Sequence, residues 1–430
     1  MRCSNDRSWP TPTCSQELSA VSSAIPPSSS QTCRRFSRWA KARRGVAAPA
    51  VLMATVLMAA VLVAALALTA AWPTAARADD APAPGPDPVE YEQMVARAIE
   101  YLRTAGQAPD GSFSSAAGPA VTSLVATALL RNGRSPQDPL IARALAYVEQ
   151  FVNADGSIGP ADSPYLNYET CVGILCFTEA NADGRYDELL ARAERFVKRL
   201  QWDEDDGHEA SSFSYGGAGY GSHKRPDLSN TSFLVDALRA AGNGPDDPAM
   251  QKALIFVSRC QNLESEHNLT PFSTKNPDGG FYYTVAAGGG SQAGELPDGG
   301  LRSYGSMTYA GLKSMIYAGV GPDDPRVKAA VEWTQKHYDV ASNPGLGDVG
   351  LYYYYHTFAK ALDAMGVERM TDAEGNEHDW RRELAEALQA RQHSSGAWTN
   401  SNQRWLEGDA NLVTAYALLA LSYCRPAASR

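Results

Sequence analysis

Four groups of side chains in this sequence can do chemistry. Asp203-Glu204-Asp205-Asp206 sets four carboxyls side by side. Crowded like charges raise one another's proton affinity, which makes Asp205 a candidate raised-pKa acid, with a solvated acidic turn as the competing reading. His356 follows four consecutive tyrosines, Tyr352 to Tyr355. Imidazole is the commonest general acid or base, and a hydrogen-bonded histidine near a cavity mouth is the alternative. Glu295 and Asp298 offer a carboxylate pair of the kind that cleaves sugars, if the fold sets them across a cleft. Last come the aromatics Tyr215, Tyr220, Tyr282, Tyr304, Tyr309, Tyr353, Trp398 and Trp405. Their faces can hold an apolar chain, stabilise a cation at about 0.5–2 kcal/mol per ring, or stack on a sugar. About half of such rings are expected simply to fill the core.

These residues sit at recurring places in a repeated unit. The turn Gly321-Pro-Asp-Asp-Pro325 recurs at Gly244–Pro248 and, relaxed, at Ser135–Pro139. Asp before Pro starts a helix: the carboxylate caps free N–H groups, and proline gives up a donor that no helix bond needs. The helices that follow carry apolar residues at i, i+4, i+7, as in Ile141, Leu145 and Val148, which gives one buried stripe. Their partners, such as Thr122–Leu130, Thr231–Ala241 and Leu412–Ser422, are apolar or small on every side and so are expected to be buried on every side. Six one-sided and six all-apolar segments alternate along the chain. A helical pair of this kind cannot bury its apolar face alone, so neighbours stack. Both ends read as ordinary pairs without polar caps. The expected fold is therefore all-α, a closed (α/α)6 toroid of six outer and six inner helices in one domain over 89–425. The aromatics would lie at the junctions of loops and inner helices, facing a central cavity.

Ahead of that domain, residues 1–78 read as a disordered stretch followed by export signals. A basic run (Arg34, Arg35, Arg38, Lys41, Arg43, Arg44) precedes an apolar run from Ala50 to Trp72 and then Ala76-Arg77-Ala78. Basic, apolar and small-x-small segments in that order make a secretory signal. The apolar run is also long enough to stay in a bilayer as an anchor. Either way the body is expected outside the cytoplasm, periplasmic, secreted or membrane-anchored. Residues 79–88 form a Pro-rich linker. Nine basic and two acidic residues lie in 1–78, which leaves 29 basic against 46 acidic residues beyond it, a net −17. A surface of that sign does not suit phosphate, so nucleic acid is not an expected partner. Cys171, Cys176, Cys260 and Cys424 permit three disulfide pairings, but none forms a CxxC, and buried free thiols are the favoured reading. No cofactor and no metal site is expected, because zinc needs ligand spacings that are missing.

Gln392-His-Ser-Ser-Gly396-Ala-Trp398 fits Q-x3-G-x-W, and Gln107-Ala-Pro-Asp-Gly111-Ser-Phe113 fits it with Phe for Trp. This resembles the QW motif of the squalene cyclase and protein prenyltransferase repeat superfamily, over nearly all of the chain beyond residue 78. The resemblance implies an α/α toroid; it does not imply one activity. Against the cyclase motif D-x-D-D-T-A, the matching stretch is Asp227-Leu-Ser229-Asn230-Thr231-Ser232. Asp227 and Thr231 survive. Ser229 stands where the resemblance implies the proton-donating Asp, and a hydroxyl cannot protonate an alkene. Tyr355-His356-Thr357 resembles the zinc histidine of prenyltransferases, but Leu301–Tyr304 offers neither of its partner ligands. The sequence thus points to a binder of an apolar or extended ligand without the standard chemistry. A divergent terpenoid cyclase, a carbohydrate-active toroid and a protein-binding scaffold stand as rivals. Asp227, His356 and Asp205 are the candidate catalytic residues.

Overall fold

The computed structural model describes residues 84–221 and 225–426. They belong to a compact unit that starts at Ala81. The readings made for 1–78, and for the first part of the linker, lie outside the described residues. The rest of the linker is docked: the Gly85 N–H donates to Asp379 Oδ2 (2.8 Å), and Arg382 Nε donates to the Gly85 carbonyl (3.0 Å).

Twelve α-helices follow: α1 (Pro88–Tyr101), α2 (Ala120–Arg131), α3 (Pro139–Glu149), α4 (Leu166–Glu179), α5 (Asp187–Arg199), α6 (Leu228–Ala240), α7 (Pro248–Arg259), α8 (Gly305–Tyr317), α9 (Pro325–Lys336), α10 (Leu351–Met365), α11 (Trp380–Arg391) and α12 (Ala410–Ser422). Odd-numbered helices are one-sided. α5 buries only Ala193, Phe196 and Val197, and sets Asp187 and Glu188 at its start and Lys198 and Arg199 at its end, each matching the local sign of the helix dipole. Even-numbered helices are enclosed; α12 buries every residue from Leu412 to Leu421. The enclosed helices pack in the order α2, α4, α6, α8, α10, α12, and α12 packs in turn on α2.

The Asp-Pro starts behave as their chemistry demands. Asp138, Asp247 and Asp324 each accept an N–H of the first turn. Asp87-Pro88, read from sequence as linker, does the same for α1. Each such cap is worth about 1 kcal/mol.

Glutamines tie one hairpin to the next. Gln392 Nε2 donates to the carbonyls of Gly396 (2.9 Å) and Met94 (3.0 Å), joining the end of α11 to α1. Gln107 bonds Gly111 and Leu140 in the same way, as do Gln201 with Gly216 and Ala249, and Gln261 with Gly279 and Arg326. The glycine in each loop lies against the next odd-numbered helix. At Gly396 (φ +91°) a methyl group would collide with the Arg97 carbonyl, and at Gly216 (φ +80°) with that of Lys252. Two residues further on, a threonine of the enclosed helix accepts the loop N–H: Thr122 from Phe113, Thr170 from Ile158, Thr231 from Ala218, Thr308 from Phe281 and Thr414 from Trp398. The fifth hairpin departs from this plan. Its loop is held by Asn343, whose Oδ1 accepts from Ser306 N and whose Nδ2 donates to Val349 O. A two-stranded hairpin, β1 (Met370–Thr371) with β2 (Glu377–His378), follows it, unforeseen in the sequence.

Among the described residues, Cys171, Cys176, Cys260 and Cys424 are buried and no disulfide joins them.

Candidate functional site

The loops that lead into the enclosed helices meet one another, each reaching the start of its predecessor's helix. Tyr220 O accepts from Asn167 N at the start of α4, and Tyr283 O from Leu228 N at the start of α6. Pro344 O accepts from Gly305 N at the start of α8. Glu407 Oε1 accepts from Tyr352 N and Tyr353 N at the start of α10 (3.0 and 2.9 Å), and Gly106 O from Asn411 Nδ2 at the start of α12. These contacts form a mouth at the N-terminal end of the enclosed helices, where the helix dipole favours negative charge.

Asp227 sits in that mouth as the cap of α6. Its Oδ1 accepts from Asn230 N (2.9 Å) and its Oδ2 from Asn230 Nδ2 (2.9 Å). Burial pushes its pKa up to about 6 from 3.8; hydrogen bonds from Asn230 and Tyr283 and the nearby Arg225 charge pull the other way. The Arg225 guanidinium lies 5.1 Å from the Tyr283 ring. Ser229 shares a 3.0 Å hydrogen bond with Tyr353 Oη.

Aromatic rings run inward from this mouth in unbroken contact. Tyr165, half exposed, meets Tyr220 at 5.4 Å between centroids, and Tyr220 meets Tyr168 at 6.4 Å. Tyr168 meets Phe233 (5.0 Å), Phe233 meets Tyr353 (6.2 Å), and Tyr353 meets Tyr416 (5.9 Å), which lies against His356 (5.9 Å).

Below the rings the interior is charged. Asp236 of α6 accepts from Lys313 of α8 (2.6 Å) and from Lys360 of α10 (2.7 Å). Burial alone would raise the Asp236 pKa, but the two ammoniums hold it down at about 2. Burial, and then the Lys360 charge, push His356 well below the usual imidazole range. The cavity bounded by these groups, Phe233 and Tyr353 is about 10 Å³, the room of roughly one water. Of the central cavity expected from sequence, these side chains leave only this space; rings and long polar side chains occupy the rest.

The remaining sequence candidates fall elsewhere. Asp205 lies on an exposed 3-10 turn, where Lys252 pairs with its neighbours Asp203 (2.9 Å) and Glu204 (2.8 Å). Glu295 and Asp298 are exposed, and Asp298 Oδ1 closes a turn by accepting from Gly300 N. Tyr215 is buried and donates to Glu204. Tyr282, Tyr304, Tyr309 and Trp398 are buried within the helical wall. Tyr282 donates to Arg259 O and Trp398 Nε1 to Leu388 O, both on odd-numbered helices, so these two turn away from the mouth. Trp405 is exposed at positive φ and covers Gly350 at the start of α10. Among the described residues no three His, Cys, Asp or Glu side chains converge as metal ligands. Sequence reasoning missed Asp236, Lys313, Lys360 and Glu407. A charged residue inside an otherwise apolar helix was the available signal for the first three.

No family model and no curated protein matches the chain. Solved structures do. A type II terpene cyclase, MstE from Scytonema, is 14% identical with a TM-score of 0.47, over 78% of this chain and 98% of that one. A protein from Actinoplanes is 15% identical with a TM-score of 0.44, over 78% and 99%. A glycosyl hydrolase family 88 protein from Bacteroides vulgatus is 8% identical with a TM-score of 0.49, over 78% and 98%. The likeness is one of helical arrangement, and at these identities no residue's role passes from them to this chain.

Proposed function

We propose that this chain is an exported, closed (α/α)6 toroid that binds an apolar, isoprenoid-like or extended ligand at its mouth. The return of α12 to α2 and the Gln392 bond to α1 support closure. One observation carries the binding site: the continuous row of rings from half-exposed Tyr165 and Tyr220 through Tyr168 and Phe233 to Tyr353. Rings meeting edge to face, and stacked at Phe233 and Tyr353, give an apolar surface with polar hydroxyl tips, which suits a ligand that enters from water. The ligand lies along this row and not deeper, because the space beyond Tyr353 admits about one water. Asp227 stands at the edge of the row as a carboxyl that is partly protonated near neutrality. An acid of that strength suits proton transfer to an oxygen better than to an alkene.

Fluorescence titration of the purified protein with geranylgeraniol and with a neutral oligosaccharide tests the reading. Saturable quenching by the prenol is expected, with affinity lowered roughly tenfold in Tyr353→Ala, since stacking on one ring is worth about 0.5–1.5 kcal/mol beyond the area it buries. No quenching by the prenol, or quenching untouched by Tyr353→Ala and Tyr220→Ala, overturns it. Quenching by the oligosaccharide alone moves the assignment to an extended sugar.

A further inference from the structure

We infer that the buried space beside Lys360 and His356 is a binding site for one small monatomic anion of the halide class. Three observations point there. The first is the count of charge. Lys313, Lys360 and Arg131 lie in one electrostatic cluster with Asp236 and Glu179; Arg131 pairs with Glu179 at 2.6 Å. Arg131 and Glu179 neutralise each other at the partly exposed edge of the cluster (21% and 33% exposed), so within the buried part Lys313 and Lys360 face the single carboxylate of Asp236, and an uncompensated buried charge is costly.

The second is the count of donors. Lys313 Nζ donates to Asp236 Oδ1 (2.6 Å) and to Ser232 Oγ (2.8 Å), with the Ser232 carbonyl at 3.4 Å. Its three hydrogens are engaged. Lys360 Nζ has Asp236 Oδ2 at 2.7 Å, which uses one hydrogen of three. His356 Nδ1 is buried with no hydrogen-bond partner, on a residue 5% exposed. His356 and Lys360 are four apart on α10, so their side chains lie on one face of the helix. Both line the same small cavity.

The third is size. A cavity of about 10 Å³ takes a single atom-sized guest and no polyatomic anion. Chloride is somewhat larger than water, and the unbranched Lys360 chain is the part that can yield. A water would satisfy the donors but leave the charge. The groups facing the site agree on its sign. Burial lowers the proton affinity of Lys360 and Lys313, Asp236 pulls the other way, and repulsion from Arg131 on Lys360, and from Lys360 on Lys313, adds to the lowering. The neighbouring tyrosines Tyr353, Tyr416, Tyr317 and Tyr423 are all pushed up by burial and bring no negative charge.

Thermal unfolding of the full chain in sodium chloride and in sodium gluconate at equal ionic strength tests this, together with a bromide-soaked crystal. Chloride is expected to raise the melting temperature saturably, by about 3 °C at ten times its dissociation constant. Bromide is expected to give an anomalous peak between Lys360 Nζ and His356 Nδ1. Lys360→Met, which removes both the excess charge and the free donors, is expected to abolish the chloride effect. Equal melting in the two salts, or a bromide-soaked wild-type crystal with water alone at that point, overturns the assignment. The wild-type measurements decide it even if Lys360→Met does not fold.

Discussion

Asp227 is at once a helix cap and a buried acid, and the two roles move its proton in opposite directions. Burial wins: its pKa stands near 6 in the folded chain against 3.8 for the free side chain. The folded state therefore holds this proton more tightly than the unfolded state does. The stabilisation this gives is complete below pH 4 and is lost as the pH rises through 6. The span corresponds to about 3 kcal/mol. Asp227→Asn keeps the neutral form at every pH, and Asn230 can turn its amide to receive it, since Asn230 Oδ1 has no partner. The stability of the variant relative to wild type is expected to improve by about that amount between pH 4 and pH 7 in urea unfolding series. A difference that stays flat with pH contradicts the burial argument. Asp227 was legible in the sequence because Asp227-Leu-Ser-Asn-Thr-Ser232 lines up with the D-x-D-D-T-A motif of the family the chain resembles. Asp236, Lys313 and Lys360 were not, because what defines them is one another, across three helices 47 to 124 residues apart.

At the scale of the helical hairpin, the recurrent contacts are those of glutamine, glycine and threonine. Sequence showed two copies, at Gln107 and Gln392, because only there does the glycine follow at the motif's spacing. At Gln201 and Gln261 the same bonds form across longer insertions, to Gly216 and Gly279, and spacing hides them. The threonines stand in the first turns of five enclosed helices, but their role needs the loop to fold back nine to 27 residues away. Gln392 differs in that its partner, Met94, belongs to the first helix of the described chain, and its Oε1 accepts from Arg97 Nε (2.9 Å) where Gln107 Oε1 has no partner. Gln107→Ala and Gln392→Ala are expected to cost alike, about 1–3 kcal/mol, because each orphans two carbonyls. A Gln392→Ala chain that unfolds like wild type, while Gln107→Ala is weakened, means that the seam is loose in solution.

For the molecule as a whole, the two ends of the described chain lie together. Gly85 is beside Pro426 and is bonded at both its N–H and its carbonyl to Asp379 and Arg382. A permuted chain that joins Pro426 to Pro84 through a short linker and opens at the exposed turn between Gly321 and Pro322 is expected to melt within a few degrees of the parent, in one step. A permutant that is insoluble, or that melts in two stages, argues that the hairpins depend on their native order. Tyr91, on the first helix, donates to Leu421 on the twelfth. During synthesis, then, the earliest helix has to wait for the latest, and its greasy side has no resting place meanwhile. Polypeptides stalled before Ala410 should meet proteases as bare, unfinished chains, while full-length ones, once shut, resist them.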